Sequence, residues 1–210
     1  MAVTRRSFNV LTALAFVVCF GVGFVSCLPA DESPQYKLWA NLLKTQTYSN
    51  SSNGTMLKMT WKNCGPSDPI YANLVITPET IPIPGKVNIS FNATLNVTCD
   101  APLKLEMKVK KKIAATYWTV PCIDNVGSCT YSDLCSMIPY PPSQPCPPPF
   151  STYKIPCHCP FQKGAYHLPL TEIDLPAIPH ADGKFKATAY LSMNGEQLAC
   201  YEADLQFKAR

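Results

Sequence analysis

Residues 87–98 read VNISFNATLNVT, and apolar and polar side chains alternate at every position. Successive side chains of an extended chain point to opposite faces. The pattern therefore predicts a β-strand with one apolar face turned inward and one polar face turned to solvent. Cys99 continues the apolar register, so we expect a buried thiol at this position.

The polar face of this strand carries three N-glycosylation sequons, which begin at Asn88, Asn92 and Asn96. Two more sequons begin upstream, at Asn50 and Asn53. A glycan must face solvent, so the three on the strand agree with an inward apolar face. We expect at least one of the five sites to be glycosylated.

The same alternation recurs along the chain, in residues 103–110 and 185–193. Asn194-Gly195 then fits a type I′ hairpin turn. Residues 198–207 return as the partner strand, and we expect a bulge in it because the apolar side chains change from even-numbered to odd-numbered positions. Strands with one apolar and one polar face, joined by hairpins, predict an all-β fold. We expect an antiparallel sandwich or open cup of about eight strands. Shorter strand candidates are residues 56–61, 73–76, 115–120, 166–168 and 172–175.

Composition narrows the class of protein. The 210 residues include 47% hydrophobic and 15% charged side chains, with 21 Pro. That is enough apolar material for a core and too much proline for a helical bundle. The formal net charge is +4, and removal of Arg5 and Arg6 leaves 16 basic against 14 acidic side chains. A nucleic-acid binder shows a stronger basic excess, so we expect no nucleic-acid partner.

Residues 1–27 have the features of a secretory signal peptide. Arg5 and Arg6 precede an apolar run of 16 residues, from 10 to 25. A membrane helix needs roughly 20 such residues. We therefore expect a cleaved signal, with an uncleaved anchor as an alternative.

Cleavage is expected after Cys27 or Ala30, and a bacterial lipoprotein with lipid on Cys27 is a further alternative. Residues 28–55 are then a polar N-terminal extension, and residues 56–210 are the folded domain. This route places the mature chain in the secretory pathway.

Nine cysteines follow residue 27, and thiols in an oxidising compartment pair. An odd number leaves one thiol over, and spacing alone leaves the connectivity open. Residues 139–160 hold nine of the prolines and three of these cysteines. We expect a rigid loop stapled by disulfides there, rather than a proline-rich linker.

Residues that could catalyse a reaction are few. The sequence contains no nucleophile elbow, zinc-protease helix or phosphate-binding glycine loop, and His167 and His180 have no evident acid–base partner. His158 lies between Cys157 and Cys159, but consecutive side chains of an extended chain point apart. Disulfides are therefore favoured over zinc, and we expect no enzyme, no cofactor and no metal.

A lysine run directly precedes an aromatic stretch. Lys110, Lys111 and Lys112 are followed closely by Tyr117 and Trp118. A lysine near an anionic membrane contributes about 1 kcal/mol of attraction, and Trp and Tyr favour the headgroup layer. These five residues are our candidate membrane-facing rim; a solvated lysine run that leads into a buried strand is the alternative.

A series of short motifs follows in fixed order along residues 56–210. They resemble the ganglioside GM2 activators, which belong to the secreted lipid-recognition family of ML domains. The resemblance does not include residues 28–55, and AIPHADG at 177–183 stands where the family has an apolar loop with Trp. The motifs are WKNC (61–64), IPG (83–85), PCIDNVGSCT (121–130), Cys135, PCP (145–147), TYKIPCHCPF (152–161), GAYHLP (164–169) and LAC (198–200).

This resemblance implies an antiparallel β-cup with an apolar cavity for lipid acyl chains. It implies a non-catalytic activator that extracts glycosphingolipid from an anionic membrane and presents it to β-hexosaminidase, in the lysosome or outside the cell. A secreted carrier of another lipid, a sterol or a phospholipid, with no hydrolase partner is the alternative. A cysteine-rich interaction protein, such as a protease inhibitor, fits less well because it needs no cavity.

The resemblance also implies particular residues. Disulfides would join Cys64–Cys200, Cys122–Cys129, Cys135–Cys159 and Cys146–Cys157, with Cys99 as the free thiol that the strand register also indicates. Trp118 matches a family tryptophan in a loop at the cavity mouth. The cavity would be lined by Ile89, Phe91, Leu95, Leu105, Met107, Val109, Tyr153, Ile155, Phe185 and Leu191.

Overall fold

A computed structural model describes residues 59–123, 125–138, 140–175 and 182–209. The predicted signal peptide and extension, with Asn50 and Asn53, lie outside the described residues, as does His180. Within the described part of the chain, no helix is long and apolar enough to cross a bilayer.

The larger of two sheets contains the N- and C-terminal strands of the described chain. Its main path is β1 (Thr60–Asn63), β10 (Glu196–Ala209), β9 (Gly183–Met193), β5 (Leu103–Ile113) and β6 (Thr116–Thr119). Two short strands pair with this path, β3 (Thr80–Ile83) with β10 and β7 (Thr130–Tyr131) with β5.

The smaller sheet has three strands, in the order β2 (Ile70–Thr77), β4 (Gly85–Leu95) and β8 (Gly164–Leu175). Apolar residues of both sheets share the same buried clusters, so the sheets pack face to face. A single 3₁₀ turn, Cys135–Met137, is the one helical element in the described ranges. The predicted all-β fold is confirmed. The described residues form ten strands, and among these strands every pairing is antiparallel except β3 with β10.

Strand β4 is the central strand of the smaller sheet, and its sequence alternation sets which face is inside. Val87, Ile89, Ala93 and Leu95 are buried. The strand ends at Leu95, three residues before the alternation does. The inward register nevertheless continues to Cys99, which is buried and forms an isolated bridge with Phe161.

The β9–β10 hairpin has the turn that its sequence predicts. Asn194 and Gly195 have φ values of 53° and 85°, the two left-handed conformations that a type I′ turn requires. The register then shifts between Gln197 and Ala199. This irregularity is the bulge that the change in apolar parity predicted.

Strand β8 joins two segments that the sequence predicts separately, residues 166–168 and 172–175. Its register with β4 shifts between these segments. Leu168 and Thr171 are three residues apart in β8, but they face Phe91 and Ile89, which are only two residues apart in β4. Pro169 lies in this gap and has no N–H for the ladder. A bulge absorbs the proline, so the strand continues where the alternation is broken.

Four disulfides join the pairs that the resemblance implied: Cys64–Cys200, Cys122–Cys129, Cys135–Cys159 and Cys146–Cys157. Two of them hold the proline-rich loop. Within that loop Phe150 and Ile155 are buried in the core shared by the two sheets. The loop is thus stapled covalently and packed against the sandwich.

Candidate functional site

The interior between the sheets consists of two apolar clusters. One holds Ile76, Ile89 and Phe207 with their neighbours. Phe91 and Trp61, both partly buried, pack against this cluster and against the second one. The apolar region therefore continues from one end of the sandwich to the other. The second cluster includes Leu95, Cys99, Leu105, Met107, Ala187, Leu191 and Tyr201.

Nine of the ten predicted cavity residues belong to these clusters or pack against them. The exception is Tyr153, which is 42% exposed. Lys154 has a φ of 55°, and this left-handed residue turns the chain so that Ile155 is buried and Tyr153 is at the surface. Six of the nine are buried, namely Ile89, Leu95, Leu105, Met107, Ile155 and Leu191, and Phe91, Val109 and Phe185 are partly buried.

Small side chains lie at the centre of the larger sheet's inner face. Ala187 pairs with Ala203 on one side and with Val109 on the other, and Ala189 lies two residues further along β9. Val109, Ala189 and Phe91 retain solvent-accessible surface although they belong to the inner faces. The sheets therefore leave apolar surface between them that a ligand could cover.

One edge of the sandwich is closed by an aromatic pair that the sequence analysis missed. Trp61 of β1 stacks on Tyr201 of β10, with ring centroids 4.6 Å apart. Trp61 Nε1 donates to the Ala72 carbonyl at 3.1 Å, and the Ala72 N–H donates to the Tyr201 hydroxyl. Burial raises the pKa of Tyr201, so it is a neutral hydrogen-bonding group. Trp61 belongs to the WKNC motif, but nothing in this motif indicates that Tyr201 is its stacking partner.

The end of the sandwich near the β5–β6 hairpin is more open. Along the inner face of β5, Met107 is buried, whereas Lys111 and Ile113 are only partly buried. Pairing of β5 with β9 stops at Lys111 and Phe185, while pairing with β6 continues to Ile113. The hairpin tip thus extends beyond the paired part of β5 and β9, and we call this end of the sandwich the mouth.

The five predicted rim residues lie on this hairpin but on two faces. Lys111 pairs directly with Trp118, and Lys112 pairs with Tyr117. Directly opposite residues share a face, so Lys111 and Trp118 lie on the inner side, and Lys110, Lys112 and Tyr117 on the outer side. Trp118 is 58% exposed. The lysine run is therefore part of a strand, and its side chains alternate between the two faces of the hairpin.

The outer side of the larger sheet is basic. We call Lys108, Lys110, Lys112, Lys184 and Lys186 the outer lysine face. The Lys108 Nζ lies 4.9 Å from the Tyr190 ring centroid, and the Lys186 Nζ lies 5.2 Å from that of Tyr117. Lys108 forms an exposed ion pair with Glu106 at 3.4 Å, and Lys186 forms one with Asp204 at 3.5 Å. Exposed ion pairs contribute little to stability. Positive charge therefore remains available on this face.

The described sequons lie on the other side of the molecule. Asn88 and Asn92 are on the outer face of the smaller sheet, and Asn96 is exposed just beyond the end of β4. His167 Nδ1 is 2.6 Å from Asn92 Oδ1 on the neighbouring strand. Glycans at these sites would leave the outer lysine face uncovered.

Cys146, Cys157 and His158 lie close together, but the bonding of the two sulfurs does not suit a metal. Ligand atoms of Cys146, Cys157 and His158 lie within 4.8 Å of one another, but the two sulfurs are bonded to each other and offer no thiolate. Burial raises the pKa of the free thiol of Cys99 to about 11. A thiol that stays protonated at neutral and acid pH is a poor nucleophile.

Comparison with known proteins gives matches over most of the chain. The ML domain family model matches residues 58–207. The ganglioside GM2 activator of Mus musculus is 35% identical over 158 residues, 71% of this chain and 82% of the mouse protein. That of Macaca fascicularis is 35% identical over 159 residues, 70% and 82% of the two chains. A solved Niemann-Pick type C2 protein from the Japanese carpenter ant matches 71% of this chain and 99% of its own, with 14% identity and a TM-score of 0.36.

Proposed function

The chain belongs to the ML domain family, and from this premise we propose that it extracts a glycosphingolipid from membranes and presents it to a lysosomal β-hexosaminidase. In this role it is a non-catalytic activator. The observation that carries the proposal is the accessible apolar surface between the sheets, at Phe91, Val109 and Ala189.

The physical requirement for extraction is a second apolar environment for the acyl chains. Each methylene exposed to water costs about 0.8 kcal/mol, so a chain leaves the bilayer only if it moves directly into another apolar surface. The inner faces of β4, β5 and β9 supply such a surface, and small residues such as Ala187 leave room on it. The polar head then remains at the mouth, where a hydrolase can reach it.

The proposed route runs through the secretory pathway to the lysosome or the extracellular space. Four disulfides fit an oxidising compartment. The solvent-facing sequons of β4 fit glycosylation. The relatives named as ganglioside GM2 activators support the choice of lipid and of an activator role.

The direct experiment combines liposomes that contain ganglioside GM2 with purified β-hexosaminidase. We expect the protein to raise the release of N-acetylgalactosamine in proportion to its concentration, and to release none without the hydrolase. A water-soluble chromogenic substrate is the control, because its hydrolysis needs no extraction. Acceleration of both substrates, or of neither, would contradict the proposal.

The alternative function is that of a carrier of another lipid. Native mass spectrometry of the protein purified from a eukaryotic secretory host distinguishes this carrier from the activator. A co-purifying glycosphingolipid supports the activator. A sterol or phospholipid, together with no acceleration of the hydrolase, supports the carrier on the same fold.

We further propose that the outer lysine face steers the mouth toward anionic bilayers while Trp118 enters the headgroup layer. Steering by exposed charges is screened over about 10 Å at 0.1 M salt, whereas insertion of an indole is far less sensitive to salt. At about pH 5, Lys110→Ala/Lys112→Ala should flatten the salt dependence of binding to anionic liposomes. Trp118→Ala should weaken binding at every salt concentration.

The matched control for charge is Lys104→Ala/Lys163→Ala, which removes the same charge at the opposite end of the sandwich. Binding is measured by liposome flotation over a salt series. If both double variants change the salt slope equally, net charge alone drives the attraction and the outer lysine face has no special role.

A further inference from the structure

Lys111 is a cation on an otherwise apolar inner face. It belongs to the same alternating set of β5 as the buried Leu105 and Met107. Its direct cross-strand partners are Phe185 on β9 and Trp118 on β6. The Lys111 Nζ lies 5.4 Å from the Phe185 ring centroid. The ammonium group thus lies over the Phe185 ring at the mouth, and Trp118 is the cross-strand neighbour on the other side.

The neighbours of Lys111 explain its position. A Cβ at Gly183 would lie 3.4 Å from the Lys111 Cε, so the lysine stem runs alongside the backbone at the start of β9. Burial lowers the pKa of Lys111, and the charge of Asp182 opposes that shift. A partly buried cation is stabilised by an additional anion, and the inner side of the mouth is where a ligand's head would lie.

We propose that Lys111 recognises an acidic group, a carboxylate or a phosphate, on the head of the lipid whose chains occupy the space between the sheets. This inference rests on the proposed function and adds a selectivity to it. Trp118 lies beside Lys111 on the same face and offers an exposed indole against which the apolar side of a sugar ring can stack. The pair therefore favours an acidic glycolipid over its neutral counterpart.

The outer lysines are not equivalent to Lys111. Lys110 and Lys112 point to the other side of the hairpin, and the Lys112 Nζ lies 6.0 Å from the Tyr117 ring centroid. A head that emerges from between the sheets meets the inner face first. Only Lys111, of the three lysines in the run, has that orientation.

The test compares ganglioside GM2 with its asialo derivative, which has the same chains and lacks the sialic acid carboxylate. We measure transfer of each lipid from neutral liposomes at high salt, where steering is screened. A hydrogen bond between charged groups contributes about tenfold or more in affinity. We expect the wild type to prefer the acidic lipid by about this factor, and Lys111→Met to bring the ratio near one by weakening only the acidic lipid.

The controls separate charge recognition from packing. Lys111→Arg should keep the preference, and Lys110→Met and Lys112→Met should leave the ratio unchanged. Asp182→Asn removes the competing carboxylate and should raise the ratio a few-fold. Because Asp182 is exposed, this variant keeps the inference testable should Lys111→Met fail to fold.

Three outcomes would overturn the inference. In the first, Lys111→Met leaves the ratio of acidic to neutral lipid transfer unchanged. In the second, this variant weakens the transfer of both lipids equally. In the third, free sialic acid at low millimolar concentration displaces the acidic lipid, which would indicate a site for soluble anions. In each case the wild type still transfers glycolipid, and the proposed function stands. A wild type that transfers neither lipid would remove both proposals.

Discussion

Replacement of Cys64 and Cys200 by serine is expected to lower the free energy of unfolding by about 5 kcal/mol. The bridge closes a loop with a sequence separation of 136, and in the chain-entropy model the loss grows with the logarithm of loop length. It joins the end of β1 to β10. For a domain of this size we expect the melting temperature to fall by about 10–20 °C, measured by calorimetry without reductant.

The Cys122–Cys129 bridge is the matched control, because its sequence separation is 7. Serine at both of these positions should cost only about 2.5 kcal/mol in the same model. Equal losses for the two double variants would show that local packing of the sulfurs, rather than loop entropy, determines what each bridge contributes.

The strands that could be predicted from the sequence have one buried and one exposed face. In β4 and β5, side chains alternate because only one side of each strand meets the opposite sheet. The same register placed Cys99 inside, four residues beyond the end of β4. A period of two is a local signal, so it needs no knowledge of which strand pairs with which.

Features that depend on distant pairing had no such signal. Three of the four residues of β3 are buried, so the strand shows no alternation, and its parallel partner is β10. The stacking of Trp61 on Tyr201 joins residues far apart in the chain. Contacts of this kind depend on how the two sheets pack, which a single sequence does not specify.

At the mouth, the alternation of β5 could have predicted the inward position of Lys111. The alternation that places Val109 inside also places Lys111 inside, two residues later. Lys110, Lys111 and Lys112 were instead predicted to form one cluster because they are contiguous in the chain. Proximity in the chain is a poor guide to a shared surface in a strand, since successive side chains point to opposite faces.

The segment at residues 177–183, where the family's second apolar loop would lie, is described only for Asp182 and Gly183. Asp182 interacts electrostatically with Lys111. This part of the segment therefore contributes a negative charge to the mouth, in a segment whose sequence contains no tryptophan.

Phe91→Lys is expected to abolish lipid extraction. Phe91 lies at the middle of β4, opposite Leu74 and Leu168, and packs against both apolar clusters. An unpaired ammonium there would sit in the surface proposed for acyl chains, at a cost of several kcal/mol unless it neutralises or reaches water. We expect extraction of ganglioside from liposomes to fall more than tenfold, and the free energy of unfolding to fall by a few kcal/mol.

Two control variants make this result specific to the inner face. Val75→Lys adds the same charge to a 46% exposed position on the neighbouring strand β2 and should extract lipid normally. Phe91→Leu keeps the site apolar and should retain most of the activity. Circular dichroism and thermal melting establish that each variant is folded before liposomes are added. A folded Phe91→Lys protein that extracts ganglioside as well as the wild type would exclude the inner face of β4 from the lipid site, and the acyl chains would then have to bind elsewhere.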